Sequence, residues 1–342
     1  MPTTYAIPNG ASVMSATLYN GMGSNLSVNN AVNGIFYQPD FVWIKNRNST
    51  QSNCLYDSVR GATQQLNSNN TGAEGTYAGV SSFNAGGFSV GTADNNTANY
   101  TYVAWQWKAG GTSVPNTNGS ITSQISANTT AGFSVVTYTG NGSTGTVGHG
   151  LGVAPQMIIV KRRSATQDWI VAHIGIGGTG GMGNNFMYLN LTDGTSTYSG
   201  CFNNTLPTTS VFSVGSDTST NASGSTYVAY CYAPVAGYSA FGNYVGNGST
   251  DGTFVYTGFR PRWLLIKRTT VESWILVDSS RDPYNVVSKY MLINTSNAEA
   301  DGVAYDFVSN GIKFRGTSQN QSGATYIYTA FAENPLKFAN AR

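Results

Sequence analysis

Three times along this 342-residue chain a proline is followed six residues later by a lysine, with an apolar run between: Pro39-Asp-Phe-Val-Trp-Ile-Lys45, Pro155-Gln-Met-Ile-Ile-Val-Lys161 and Pro261-Arg-Trp-Leu-Leu-Ile-Lys267. An internal repeat constrains the fold more than any single motif, because each unit has to bury the same kind of strand in the same kind of way. Other landmarks recur in the same order. A Tyr-x-Gly precedes each proline, at Tyr19-Asn20-Gly21, Tyr138-Thr139-Gly140 and Tyr244-Val245-Gly246, and the last two run into identical Gly-Asn-Gly-Ser-Thr stretches. An aromatic segment closes each unit, at residues 101–107, 226–232 and 325–331. The step from proline to closing tyrosine (Tyr102, Tyr227, Tyr326) is 63, 72 and 65 residues.

Within a unit, short segments alternate apolar and polar residues and are bounded by Gly, Asn, Ser and Asp, the pattern of antiparallel strands. No run of Ala, Leu, Glu, Lys and Arg supports a long helix. The chain is therefore read as all-β, built of tandem antiparallel β-sandwich, jelly-roll-like modules. Residues 1–109 form the first module, 110–131 a Gly/Ser/Thr/Asn-rich linker, 132–235 the second module and 236–342 the third. The closing segments place Val103, Trp105 and Trp107, matched by Val228, Tyr230 and Tyr232, on one face, read as the core of each sandwich. The Asn-Gly pairs are read as hairpin turns.

Charge narrows function. Only 9% of residues are Asp, Glu, Lys or Arg, and the formal net charge is +2, which gives no field for nucleic acid or an anionic membrane. Disorder is excluded as well, since 40% of the chain is hydrophobic and 12% aromatic. No apolar run approaches the ~20 residues of a membrane span, and no charged segment precedes an apolar one as in a secretory leader. The first 39 residues carry no charge, whereas residues 236–342 hold 10 basic and 8 acidic side chains. This asymmetry predicts a neutral N-terminal module docked on another protein and a C-terminal module facing outward in water.

Candidate chemistry is sparse. Cys54, Cys201 and Cys231 have neither disulfide-framework nor metal-ligand spacing and read as buried thiols of a chain assembled in a reducing cytoplasm. His149 and His173 read as turn and strand residues. Gly175-Ile-Gly-Gly-Thr-Gly180 matches the letters of a dinucleotide fingerprint, but no helix follows, so it is read as a loop that replaces the Asp-Ser-x-Arg of the other modules. Asp57 with Arg60, and Asp278 with Arg281, keep one spacing in two modules and read as turn-shaping ion pairs. The basic clusters Lys161-Arg162-Arg163 and Lys267-Arg268 read as solvated strand ends. Arg281, Tyr284 and Tyr290 are the candidates for a ligand, as a sugar platform in the third module. The expectation is no enzyme, no catalytic residue, no metal and no cofactor. A depolymerase would require two acids to converge through folding.

Several strings taken together resemble a known group. They are residues 39–47 (Pro-Asp-Phe-Val-Trp-Ile-Lys-Asn-Arg), 57–63 (Asp-Ser-Val-Arg-Gly-Ala-Thr), 102–111, 147–155 (Val-Gly-His-Gly-Leu-Gly-Val-Ala-Pro), 256–261, 281–287 and 330–335. Over nearly the whole chain these resemble repetitive tail fibre-like virion proteins of tailed bacteriophages of marine and freshwater bacteria. One departure is Gln106, where Cys231 stands at the matching place of the second module. The resemblance implies a virion structural protein in a tail fibre or other host-facing appendage that contributes to host attachment. It implies other virion proteins and bacterial surface glycans as partners, a homotrimer, and localisation in the virion after assembly in the host cytoplasm. It supplies no active site. A capsid decoration or head-fibre protein and a carbohydrate-binding, lectin-like module are the alternatives.

Overall fold

The structure, a computed structural model, describes residues 5–335, so residues 1–4 and 336–342 of the first and third predicted modules lie outside the described residues. The fold is all-β, with antiparallel, sandwich-type sheets. Helix is confined to single turns such as Ser199–Phe202 and Thr218–Asn221.

Each repeat builds one lobe around the same three central strands. The opening strand (Met14–Asn20, Phe133–Thr139, Ser239–Val245) pairs with the closing strand (Thr101–Trp107, Thr226–Tyr232, Thr325–Pro335). The closing strand pairs in turn with the proline strand (Phe41–Asn46, Met157–Arg162, Phe259–Arg268). The register repeats: Phe41 faces Trp107, Met157 faces Tyr232, and Trp263 faces Phe331. The two repeated tyrosines face each other in every lobe. Tyr19 stacks on Tyr102, Tyr138 on Tyr227 and Tyr244 on Tyr326, with ring centroids 5.0, 5.2 and 5.1 Å apart. The loop beside each pair is tied by one buried asparagine, Asn96, Asn221 or Asn320. Its Nδ2 donates to the carbonyls of Gly91, Gly215 or Gly316, and its Oδ1 accepts a backbone N–H from the Tyr-x-Gly turn.

The Asn-Gly pairs make tight turns, with Gly142 and Gly248 at φ 74° and 69°, a region open to glycine. They are not hairpins. The strand before Gly142 pairs with Ser123–Asn128 and the closing strand, whereas the strand after it, Gly145–Gly148, pairs with Val211–Val214 in a separate sheet. The turn therefore carries the chain from one sandwich layer to the other.

The lobes are not separate tandem sandwiches. Their central sheets are covered on both faces, which is why Phe41–Asn46 is buried at all six positions. In the first two lobes the outer face packs on that lobe's own smaller sheet, as Val42 and Ile44 do with Val28, Phe88 and Val90. The inner face packs on the other two lobes. Trp107 has ring centroids within 6.4 Å of Phe41 in its own lobe, Phe133 and Tyr232 in the second, and Trp263 and Phe331 in the third. The face of Val103, Trp105 and Trp107, with Val228, Tyr230 and Tyr232, thus belongs to a core shared by three lobes rather than to separate sandwiches. One pseudo-threefold ring is closed within a single chain.

Two further expectations change with it. The stretch 110–131 contributes the strands Val114–Asn116 and Ser123–Asn128 to the second lobe's eight-stranded sheet, because strand pairing satisfies backbone groups that a free linker would leave to water. The uncharged N-terminal segment is used inside the chain: Ile7, Val13 and Met14 are in the shared core, and Gly10 lies so close to the Ala332 carbonyl that a Cβ there would sit 2.3 Å from it. Burial against the third lobe accounts for the lack of charge at residues 7–16, whereas residues 22–25 and Phe36 are exposed.

Candidate functional site

The polar residues that recur in the sequence meet at the three junctions between lobes. Asp57, His173 and Asp278 occupy one register position, opposite Phe41, Met157 and Trp263. Each meets the closing strand of a neighbouring lobe. Tyr230 donates to Asp57 Oδ2 at 2.8 Å and the Trp105 indole N–H to Asp278 Oδ2 at 3.0 Å, while His173 Nε2 lies 3.1 Å from Thr329 Oγ1. The direction is cyclic, from second lobe to first, first to third, and third to second.

Both carboxylates are saturated. Asp278 Oδ1 accepts the backbone N–H groups of Ser280 and Arg281, and Oδ2 accepts Arg281 Nε at 2.6 Å; Asp57 repeats the arrangement with Val59 and Arg60. Each guanidinium reaches a second acid, Arg60 to Glu74 at 2.8 Å and Arg281 to Glu299 at 3.1 Å. Those acids cross to other lobes through Arg163 and Arg47, at 2.7 and 2.9 Å. The turn pairs of the sequence are thus buried ion pairs with a second role, since they also hold the lobes together. Asp57 with Glu74 and Asp278 with Glu299 converge around buried guanidinium groups and are closed to substrate, whereas Asp282 and Asp301 meet at the surface, both bonded to the Ser288 hydroxyl, at 3.4 and 3.0 Å.

In the second lobe His173, and not the glycine loop, replaces the aspartate. It stands 18 residues after Pro155, as Asp57 stands 18 after Pro39, and that count is the signal by which sequence reasoning could have found it. Nδ1 accepts the Gly175 N–H at 2.9 Å, copying the aspartate's turn bond, so Nε2 carries the proton and donates to Thr329. A neutral donor needs no arginine, and the glycines need only turn the chain. Burial pushes the His173 pKa down to about 3, because the imidazolium would be desolvated without a counter-ion. The unfolded chain, with an ordinary histidine near 6.5, binds the extra proton first. This part of the stability is therefore complete above about pH 6.5 and is lost as the pH falls from there toward 3. Replacing His173→Gln is expected to remove up to about 1.4 kcal/mol per pH unit from the slope of unfolding free energy between pH 6 and 5. Urea melts at the two pH values measure it, and equal slopes in parent and variant would refute it.

In the basic clusters the lysines are buried rather than solvated, while Arg162, Arg163 and Arg268 stay partly exposed. Lys45, Lys161 and Lys267 each send Nζ to a carbonyl of the next lobe, Ser296, Thr71 and Thr192, at 2.8, 3.2 and 3.2 Å. Burial lowers each ammonium pKa to about 8. His149 is buried in its turn between the Leu151 N–H and the Thr208 carbonyl. Burial pushes the Cys54 and Cys201 thiols up to about 12 and Cys231 higher still, so all three stay protonated and unreactive. Gln106, at the place of Cys231, is buried and bonded to Thr17 and Asn30. Among the described residues no group of three or more His, Cys, Asp or Glu is placed to hold a metal ion, and no helix is long and apolar enough to cross a membrane.

The candidate sugar platform does not assemble. Arg281 is buried, with its guanidinium spent on Asp278, Glu299 and the Leu276 carbonyl and lying over the Trp105 ring. Tyr290 packs against the core. Tyr284 is exposed but has neither beside it as a free partner.

A concave polar site does exist, in the first lobe. A cleft of about 390 Å³ opens between the proline strand, the strands Cys54–Asp57 and Gly61–Asn67, and the turn Asp94–Asn96, with Ser296 of the third lobe at its edge. Its walls carry Asn46, Gln51, Gln65, Asn67 and Asn95, with Tyr77 and Asp94 exposed at the rim. None of these belongs to a repeated motif, so the sequence offered no signal for them. No curated protein and no solved structure matches this chain. A family model does match, over residues 9–335 and hence over all three lobes, and the chain belongs to that family, described as a domain of unknown function (DUF7483).

Proposed function

We propose that this chain is a bacteriophage virion structural protein, carried in a tail fibre or another host-facing appendage, where it contributes to attachment to the bacterial surface. The observation that carries the reading is the closed pseudo-threefold body made by one chain, with the ion pairs at its junctions and the three repeated lysines turned inward. Such a body is rigid, presents three sets of loops around one axis and exposes little charge, which suits a displayed element on a symmetric appendage. The motif resemblance points the same way. Weak contacts repeated over many copies would give attachment through avidity. Other virion proteins are its partners in this reading.

Gold labelling of intact particles with an antibody against the whole chain tests it. Label on the tail or its fibres is the expected result. Label on the capsid would replace it with the decoration reading, and unlabelled particles would reject both. The three junctions are already filled within one chain, so a homotrimer would use another surface; light scattering at high protein concentration reads the mass directly, and three chains is the outcome that the fibre placement expects.

A further inference from the structure

The repeat makes the three lobes comparable position by position, and the first lobe departs from the others where its cleft lies. Cys54 faces Asn67 where Ile170 faces Tyr188 and Ile275 faces Leu292, and two residues before these partners stand Gln65, Phe186 and Tyr290. In the second lobe Phe186 and Tyr188 pack with Cys201 and Phe202 and fill the space. The first lobe has amides there and leaves it open.

The floor carries a second difference. Asn95, Thr220 and Gln319 are equivalent, since each gives its backbone carbonyl to the stacked tyrosine, Tyr19, Tyr138 or Tyr244. The Thr220 hydroxyl donates to the Cys201 carbonyl at 3.0 Å, and the Gln319 amide is satisfied on both sides by Glu272 and Tyr305. Asn95 is 3% exposed; its Nδ2 donates to Tyr56 and its Oδ1 has no partner. A buried amide oxygen without a donor costs about 1–3 kcal/mol, a cost the other two lobes avoid.

We propose that this cleft is a binding site for a neutral saccharide unit. Its volume falls in the range of small-ligand sites. Asp94 is the one charged side chain on its walls. The nearest ammonium, Lys45, is committed to the carbonyls of Gln51 and Ser296. Anions therefore find a carboxylate and no cation, whereas hydroxyl groups find an acceptor in Asp94 and both donors and acceptors in the neighbouring amides. Tyr77, 54% exposed at the rim, offers an aromatic face for the C–H side of a sugar ring. That the saccharide belongs to a host surface rests on the attachment reading; the site itself rests on the cleft.

The full chain should be applied to an array of neutral hexose and N-acetylhexosamine oligosaccharides with anionic glycans beside them, and the strongest signal titrated by calorimetry. Binding to neutral glycans is expected, weakened at least tenfold by Asp94→Asn and by Tyr77→Ala, two exposed positions whose replacement leaves the melting temperature unchanged. Gln65→Phe combined with Asn67→Tyr, which installs the second lobe's filling, should abolish binding in a chain that still melts cooperatively. A blank array, binding confined to anionic glycans, or binding that ignores both rim variants would overturn the proposal. A positive array with unlabelled phage particles would remove the virion reading and keep the site; labelled tails with a blank array would do the reverse.

Discussion

Replacing Asp278 by alanine is expected to destabilise the folded chain by about 3–5 kcal/mol, the range for breaking a buried ion pair by removing one partner. The substitution strips Arg281 of its closest counter-charge, leaves the Trp105 indole N–H without its acceptor across the junction, and frees two backbone N–H groups in the turn. Glu299 remains on Arg281, so part of the charge compensation survives. Because the lost bonds join two lobes, the whole transition in a urea or thermal melt should shift as one. A shift below about 1 kcal/mol, or a new early transition confined to the third lobe, would show that the junction is not structural. Asp57→Ala is expected to act alike through Arg60 and Tyr230.

Residues 236–342 made alone are expected not to fold. In the full chain Trp263 and Phe331 pack on Trp107 of the first lobe, and Phe331 also on Tyr232 of the second. Leaving one such side chain in water costs roughly 1.5–3 kcal/mol. The fragment would uncover these two and their inner-face neighbours while also losing the cross-lobe partners of Lys267, Asp278 and Glu299, namely Thr192, Trp105 and Arg47. That total consumes the ~5–15 kcal/mol by which a domain is ordinarily stable. Circular dichroism and an amide NMR spectrum give the answer: a cooperative melt with dispersed resonances from the fragment would mean that the lobes are independent modules after all. The same physics predicts one cooperative transition for the intact chain.

How much was legible can be judged at particular residues. The three proline strands, the tyrosine pairs and the Asp–Arg turns were visible because they recur, and recurrence needs no knowledge of what lies opposite. Trp105 and Trp107 were readable as core residues, but not as residues of a shared core, since alternation shows that a face is buried and not what covers it. His173 was placed on its strand, but its equivalence to Asp57 and Asp278 was missed because the likeness is one of hydrogen-bond geometry, not of residue type. The buried lysines looked like solvated strand ends because the carbonyls that receive them come from loops about 70 to 250 residues away in sequence. Arg281 and Tyr290 looked available for a ligand until burial removed them. The cleft was invisible, because Gln65, Asn67 and Asn95 are ordinary polar residues until Phe186, Tyr188 and Thr220 are found at the same places in the next lobe.

By itself, the sequence determined the all-β class, the number of repeats, the strands at their centres and the local turn pairs. Each of these follows from local patterning, which a chain carries residue by residue. Only the tertiary structure decided that the repeats close into a ring rather than stay separate sandwiches, that the repeated lysines and Asp–Arg pairs face inward to join lobes, and that one lobe of three keeps an open polar cleft. Those outcomes depend on which surfaces meet, and the free energy of burying a tryptophan or a carboxylate is set by the partner that covers it.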